Sequence, residues 1–141
     1  MQSGKDFNYV RVILPLAIPK TYTYHVPEHL KPSILFGKRV EVPLRNKLYS
    51  GLITEVLEEV HLDYKTKDIL SVIDDEPIIL PYQYEFWKWM ANYYSCTIGE
   101  VMHVALPGGL RLGSETKLLI HDDFDGDFSD LTDNEFIVAE A

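Results

Sequence analysis

The 141-residue sequence has little of what marks secreted proteins and membrane proteins. It contains one cysteine, Cys96, so no disulfide can form within the chain, and a reducing cytoplasm is the expected location. No run approaches the ~20 apolar residues of a membrane span. The polar start does not resemble a signal peptide. The sequence therefore predicts a soluble cytoplasmic protein with one ordinary domain and room for the start of a second.

Patterns typical of catalysis and metal binding are also missing. The five histidines are scattered, and no nucleophile stands beside a base. Asp123, Asp125 and Asp127 alternate as in a calcium loop, but the glycine and the final glutamate of an EF-hand are misplaced, so a solvated linker is favoured. The acidic triplet at 74–76 precedes a proline and predicts a turn. We expect no enzymatic activity, no metal and no cofactor in this chain.

The net charge of −9 is distributed unevenly. Residues 1–50 carry eight Lys or Arg against three acids, a net +5. Residues 51–120 carry five against eleven, a net −6, and residues 121–141 carry none against eight. Because salt screens charges over about 8–10 Å, the basic first third can attract phosphate whatever the tail does. On charge alone, scattered solubilising residues explain the numbers equally well.

The first half of the chain predicts β-structure. Runs of β-branched and aromatic residues, separated by proline, glycine or charged turns, indicate five strands at 10–16, 21–26, 39–42, 48–57 and 69–73. Gly51 lies inside the longest strand and indicates a bulge or a tight bend. We therefore predict an α+β domain built on a small, curved, antiparallel sheet with a barrel-like shape.

The following segment changes to a helical period. Residues 81–94 carry large apolar side chains three or four positions apart, and we expect this stripe to face the core and to close the sheet. The stripe consists of Tyr82, Phe86, Trp89, Met90 and Tyr93.

Thr97 and Glu100 match a capping box, which predicts a second short helix that ends before Pro107.

The last part of the chain predicts a linker and the beginning of another domain. Residues 112–131 are acidic and include glycine, as a solvated linker does. Thr132 and Glu135 match a second capping box, followed by an apolar run at 136–139. The prediction is one domain over 8–111, a linker over 112–131 and a truncated second domain over 132–141.

Aromatic and basic residues come together in the first two predicted hairpins. Tyr22 and Tyr24 fall near Lys20, Arg45 and Lys47 if the strands pair as predicted. Aromatic faces beside basic groups are how proteins hold single-stranded nucleic acid, with stacking worth ~1–3 kcal/mol per base. Strand tyrosines also fill cores and rims in proteins that bind no nucleic acid. For Tyr22 the two interpretations are evenly balanced.

A series of short motifs occurs in an order that resembles a known family. The motifs are Leu14-Pro15, Thr21-Tyr22-Thr23-Tyr24, Gly37-Lys38-Arg39-Val40-Glu41-Val42-Pro43, Gly51, Lys67 before Val72-Ile73-Asp74, Ala91-Asn92-Tyr93-Tyr94, Ile98-Gly99-Glu100-Val101 and Ala105-Leu106-Pro107. Together they are similar to the amino-terminal DNA-binding domain of the primosomal protein N′ (PriA) family of replication-restart helicases, over roughly residues 8–111.

The resemblance implies a binding function. In this family the domain recognises the free 3′ end of the nascent leading strand at a stalled fork, in a small pocket and without sequence specificity. The residues that match the pocket are Tyr22, Thr23, Arg45 and Lys67, with Lys20 and Lys47 as candidate phosphate contacts. The family often has Asp where Thr23 stands and Gly where Arg45 stands, so Arg45 either grips a phosphate or crowds the pocket.

The resemblance also implies what lies outside this chain. A winged-helix domain is expected to begin at Thr132. The ATP-dependent 3′-to-5′ helicase, with its ATP, magnesium and zinc, belongs to the full-length protein. The implied partners are forked DNA with a free 3′ end, single-stranded-DNA-binding protein and other primosome proteins. Two alternatives stay open: an RNA-binding or protein-interaction module on a small barrel, and a regulatory domain with a small-molecule pocket.

Overall fold

The structure, a computed structural model, describes residues 7–61 and 64–110. The predicted linker at 112–131 and the helix predicted from Thr132 lie outside the described residues. No helix in the described part is long and apolar enough to cross a membrane. The elements are β1 (Tyr9–Ile13), β2 (Tyr22–His25), a 3-10 helix (Glu28–Ser33), β3 (Arg39–Leu44), β4 (Lys47–Leu57), β5 (Ser71–Val72), α1 (Pro81–Tyr93), α2 (Ile98–Ala105) and a 3-10 turn (Gly108–Leu110).

The five strands form one sheet in the order β2-β1-β4-β3-β5, and neighbouring strands are antiparallel. This confirms the predicted α+β class and antiparallel sheet. The sheet is curled but not closed, because β5 has only two residues and pairs with β3 alone. The segment before β5 reaches β2 through two hydrogen bonds. The His25 N–H donates to the Lys67 carbonyl at 2.9 Å, and the Ile69 N–H donates to the His25 carbonyl at 3.0 Å.

Strand β1 and the middle of β4 are buried on both faces. Val12 and Ile53 belong to one apolar cluster, Ile13 and Leu52 belong to another, and all four are at most 1% exposed. The first cluster draws side chains from β1 to β4, and the second lies between the sheet and the two helices. The sheet therefore separates a core inside its curl from a core beneath α1 and α2.

The irregularity predicted at Gly51 lies elsewhere in β4. Gly51 pairs regularly with Val40, whereas the register shifts opposite the step from Arg11 to Val12 and leaves Thr54 as the extra residue. Gly51 is needed for packing instead. A Cβ at this position would lie 2.3 Å from Cγ1 of Val12, so only glycine leaves room for that side chain.

The predicted helix at 81–94 is confirmed as α1, but its predicted core face is wrong. Trp87 is the buried residue of α1, and Tyr84, Met90 and Ala91 pack beside it against the second cluster. The rest of the expected stripe lies on the surface. Two apolar stripes with the same helical spacing run along α1, so the period alone does not show which one faces the sheet. The exposed stripe residues are Tyr82, Phe86, Trp89 and Tyr93.

The predicted capping box begins α2. The Thr97 hydroxyl accepts a hydrogen bond from the Glu100 N–H at 3.2 Å, and the Glu100 carboxylate accepts one from the Thr97 N–H at 2.8 Å. The backbone of Gly99 lies against the turn that follows β1, where a Cβ would come within 2.2 Å of the Leu16 carbonyl oxygen. This close approach fixes the start of α2 on the sheet, and the helix ends at Ala105 as predicted.

A buried ion pair between Arg39 and Asp74 holds the end of the domain. The Arg39 Nε donates to the Asp74 carboxylate at 2.9 Å, and the same guanidinium donates to the Leu110 carbonyl at 2.7 Å. Burial alone would raise the pKa of Asp74, but the hydrogen bonds from Arg39 outweigh it and hold the pKa below its usual value. Asp74 thus leads into the predicted turn and holds the Arg39 side chain, which in turn anchors β3 to the final 3-10 turn.

Candidate nucleic-acid interface

Three segments meet around a cavity of about 170 Å³ at one end of the sheet. They are β2, the end of β3 with its turn, and the stretch before β5. All four predicted pocket residues, which come from these three segments, line the cavity. The lining consists of Tyr22, Thr23, Tyr24, Pro43, Leu44, Arg45, Tyr64, Lys65, Thr66 and Lys67.

The curl of the sheet brings these segments together. Strands β2 and β3 are separated by β1 and β4 in the sheet, yet the Tyr24 hydroxyl donates a hydrogen bond to the Pro43 carbonyl at 3.3 Å. The backbone hydrogen bond between His25 and Lys67 fixes the third wall against β2. The cavity is therefore positioned by the fold itself and not by a single loop.

Tyrosines form the floor and the rim of the cavity. Tyr24 is 3% exposed, and burial, with smaller contributions from Tyr22 and Tyr64, raises its pKa to about 12. Its hydroxyl therefore stays protonated and keeps donating to β3 at any physiological pH. Tyr22 is half-buried and Tyr64 is 58% exposed, so both rings can offer a face to a ligand.

The cavity is positively charged although the chain is acidic overall. Arg45, Lys65 and Lys67 line it, and no carboxylate is found among the described residues of the lining. The nearby carboxylate of Asp68 lies 2.8 Å from Nδ1 of His25 and is engaged there. The Lys67 ammonium lies 3.5 Å from the Arg45 carbonyl, which places it beside the turn. Such a grouping attracts an anionic ligand locally.

Arg45 adopts a backbone conformation that is uncommon for its residue type. It follows β3 in the two-residue turn to β4, and its φ is 56°. This is the left-handed region, which costs residues other than glycine about 1–2 kcal/mol. Residues held in uncommon backbone conformations cluster at binding sites and active sites, which makes Arg45 a candidate binding residue.

The two lysines predicted as phosphate contacts lie outside the lining of the cavity. Lys20 is exposed in the segment that precedes β2, and Lys47 is exposed at the start of β4, two residues after Arg45. Their contact with phosphate stays a prediction.

Three lining residues were not predicted as binding residues. Tyr64, Lys65 and Thr66 come directly before Lys67 and complete the third wall. The signal that could have found them is local. An aromatic residue followed by alternating lysines is the combination of stacking and charge that single-stranded nucleic acid requires.

Two larger clefts lack this charge pattern. One, of about 420 Å³, lies between the sheet and α1, and its charged residues are paired within the protein: Arg11 with Glu55, and Lys88 with Glu85. The other, of about 600 Å³, is lined by Glu58 and Glu59 and carries no basic residue in the described lining. Neither favours a polyanion, whereas the smaller cavity does.

Comparison with known proteins shows which family the chain resembles. The family model described as the PriA 3′ DNA-binding domain (3′BD) matches residues 11–107. Replication restart protein PriA of Haemophilus influenzae is 32% identical over 105 residues, which are 74% of this chain and 14% of that protein. PriA of Synechocystis is 30% identical over 72% of this chain, and PriA of Bacillus subtilis is 26% identical over 80%. The chain spans 12–14% of the length of these relatives.

Proposed function

The chain belongs to the family of PriA 3′ DNA-binding domains, and on that premise we propose that its cavity binds the terminal nucleotide at the 3′ end of a DNA strand. The strand that fits this role is the nascent leading strand at a stalled replication fork. The chain is then the module with which a longer replication-restart protein finds the fork.

One observation carries the proposal. Tyr22 and Thr23, Arg45, and Lys67 come from three segments that are far apart in sequence, and they line one cavity together with a further lysine, Lys65. The grouping combines what a nucleotide requires. The tyrosine rings stack on a base, the cations neutralise phosphate, and the Thr23 hydroxyl both donates and accepts hydrogen bonds.

The size of the cavity favours the end of a strand. At about 170 Å³ it is smaller than the ~300–1,000 Å³ of pockets for drug-sized ligands. It holds part of one nucleotide, such as a sugar or a single base, and it excludes a duplex. The phosphates that precede the terminal nucleotide would then meet Arg45, Lys65 and Lys67 at the rim.

The lining also favours binding without sequence specificity. Asn, Gln, Asp and Glu side chains, which read adenine and cytosine edges, are absent from the described lining, and the cations that could read guanine are proposed to face phosphate instead. The polar side chains other than the cations and tyrosines are two threonines, which hydrogen-bond with any base or sugar. Contacts to sugar and phosphate position a strand but carry no sequence information.

The catalytic part of the longer protein is proposed to lie outside this chain. In the described residues no group of three or more His, Cys, Asp or Glu side chains could hold a metal. The ATP-dependent helicase, with its magnesium and zinc, then belongs to the rest of the polypeptide, as do the contacts with single-stranded-DNA-binding protein and other primosome proteins. The role of this chain is to place the helicase on forked DNA.

The test compares the affinities for three ligands. They are single strands that end in a 3′-hydroxyl, the same strands with a 3′-phosphate, and a blunt duplex, titrated with wild type and with Lys67→Ala. We expect wild type to prefer the 3′-hydroxyl strand and Lys67→Ala to bind that strand more weakly than wild type does. Lys88→Ala, on α1 and away from the cavity, should behave as wild type. Equal affinities for all three ligands would overturn the proposal.

An RNA strand of the same sequence separates this function from the RNA-binding alternative. DNA and RNA differ at the 2′-hydroxyl of every nucleotide. Tighter binding of RNA than of DNA would favour an RNA-binding module and would contradict the proposal.

A further inference from the structure

The outer side of α1 carries a continuous aromatic surface. Phe86 stacks on Trp89 with ring centroids 5.8 Å apart, and Trp89 stacks on Tyr93 at 5.1 Å. Tyr94 meets Tyr93 edge-on at 4.9 Å, and Tyr82 lies one turn before Phe86. We call these five residues the aromatic face; each of them is between 54% and 68% exposed.

This surface is large for a protein that acts alone. At ~200 Å² per aromatic side chain, five rings that are more than half exposed present roughly 600 Å² of apolar surface. Soluble monomers rarely leave patches beyond a few hundred Å² uncovered unless they bind something there. The area approaches the ~800 Å² that one partner contributes to a specific protein interface.

The spacing of the rings indicates a helix as the partner. Tyr82, Phe86, Trp89 and Tyr93 follow one another at intervals of four, three and four residues. This is the alternation that keeps a seam of side chains facing a second helix over successive turns. A flat or strand-like partner does not require that period.

The charge of α1 indicates an uncharged partner surface. The helix has two charged residues, Glu85 and Lys88, and they pair with each other at 2.6 Å. No net charge is left to attract the phosphates of nucleic acid, in contrast to the cavity formed by Arg45, Lys65 and Lys67. Interfaces between proteins are rich in Tyr, Trp and Phe and poor in charge at their centre.

We propose that the aromatic face docks on an uncharged, apolar helix in the remaining polypeptide of a longer protein. This rests on the proposed function, in which the chain is one module of such a protein. The relatives are long enough to supply the partner, since the chain spans only 12–14% of their length. No residue of α1 lines the nucleotide cavity, so docking leaves that cavity open and fixes where it points.

The test is hydroxyl-radical footprinting of the 141-residue chain and of the complete polypeptide that its gene encodes, both without DNA. We expect oxidation of Phe86, Trp89 and Tyr93 to be several-fold slower in the complete polypeptide. Tyr64, which is 58% exposed and lies at the cavity, is the internal control and should react at the same rate in both.

A charged variant shows whether the face itself makes the contact. Trp89→Glu in the complete polypeptide should return the oxidation rate of Tyr93 to that of the 141-residue chain. Asn92→Glu adds the same charge to α1 beside the seam and should leave Tyr93 protected. Neither substitution should lower the melting temperature of the 141-residue chain, because both side chains are exposed there.

Each of four other results would overturn the proposal. They are unchanged rates in the complete polypeptide, a gene that encodes no further domain, protection of the isolated chain that grows with its own concentration, and protection that needs single-stranded DNA. The last two would assign the face to a second copy or to nucleic acid. Binding of 3′ ends is measured on the same samples, so a failure of the proposed function shows there and not in the footprint.

Discussion

The hydroxyl of Tyr24 donates a hydrogen bond to the carbonyl oxygen of Pro43, although two strands lie between β2 and β3 in the sheet. The contact joins two walls of the nucleotide cavity across the curl of the sheet. Because Tyr24 is 3% exposed, its ring also belongs to the core beneath that cavity. The packing of Tyr24 in the core therefore also shapes the candidate site.

The first prediction concerns the ionisation of Tyr24. Its pKa is about 12 in the folded protein and about 10 in the unfolded chain, so the fold favours the protonated form. The stabilisation that comes from this raised pKa is complete below pH 10 and is lost as the pH rises through 12. Two pKa units correspond to about 2.7 kcal/mol. Urea unfolding of wild type between pH 9 and pH 12 should show this loss, and Tyr24→Phe should show a shallower decline. The same decline in both proteins would contradict the assignment.

The second prediction concerns the turn at Arg45. Arg45→Gly relieves a left-handed conformation that costs about 1–2 kcal/mol, while the freer unfolded chain offsets about 0.4–1 kcal/mol. The free energy of unfolding should therefore rise by up to about 1.5 kcal/mol. The affinity for 3′-ended single strands should fall by about 1.5–3 kcal/mol, because a charge-assisted contact is removed. Stability is measured by denaturant unfolding, and affinity by fluorescence anisotropy.

Asn46→Gly is the matched control for this turn. The φ of Asn46 is not positive, so glycine relieves nothing there and should lower stability slightly. If Arg45→Gly gained stability and kept full affinity, Arg45 would have no role in binding.

Most of the architecture was predictable because its signals are local. Proline, glycine and charged turns bound the strands, and Thr97 with Glu100 marks the start of α2. The burial of Trp87 was not predictable, since Trp89 is also a tryptophan and lies on the opposite stripe of the same helix. Which stripe faces inward depends on how the helix meets Ile13 and Leu52, and that contact is distant in sequence.

The candidate site was predictable only in part, for a related reason. The motif that contains Tyr22 and the lysine at 67 pointed to the cavity, and the structure places both residues in its lining. Tyr64 and Lys65 were missed because their place in the wall comes from the backbone hydrogen bonds between the segment before β5 and His25. The local pattern of an aromatic residue and alternating lysines could have suggested these residues, but which wall they form depends on pairing between segments that are far apart in sequence.

The third prediction concerns the buried ion pair. Asp74→Asn leaves the Arg39 guanidinium buried without a counter-charge, and the free energy of unfolding should fall by about 3–5 kcal/mol. The pKa of Asp74 is lower in the folded protein than in the unfolded chain. The ionised carboxylate therefore stabilises the wild-type fold fully above the unfolded pKa of 3.8, and this stabilisation is lost as the pH falls below it. The free energy of unfolding of the Asp74→Asn variant should not show this loss at low pH. Asp75→Asn, the exposed neighbour, should change stability by no more than about 0.5 kcal/mol.

The fourth prediction contrasts neighbouring aromatic residues of α1. Trp87 is buried against the second cluster, so Trp87→Ala should cost about 3–5 kcal/mol. Phe86 is exposed, and its replacement removes only the stacking on Trp89. Phe86→Ala should therefore lower the free energy of unfolding of the 141-residue chain by about 0.5 kcal/mol or less. Thermal and denaturant unfolding measure both. A similar loss for the two variants would place Phe86 in the core after all.

The last prediction concerns the salt dependence of DNA binding. Each phosphate of a single strand that a cation neutralises adds about −0.7 to the slope of the logarithm of the binding constant against the logarithm of the salt concentration. Lys65→Ala and Lys67→Ala should each make the slope shallower by about 0.7 if both lysines contact phosphate at the rim of the cavity. The double variant should lose about twice as much, because the contacts are to different phosphates. Lys67→Ala with lower affinity and an unchanged slope would instead assign Lys67 to the terminal hydroxyl, since a contact with an uncharged group releases no counterion. Lys88→Ala, whose ammonium is paired with Glu85, should leave both slope and affinity as in wild type.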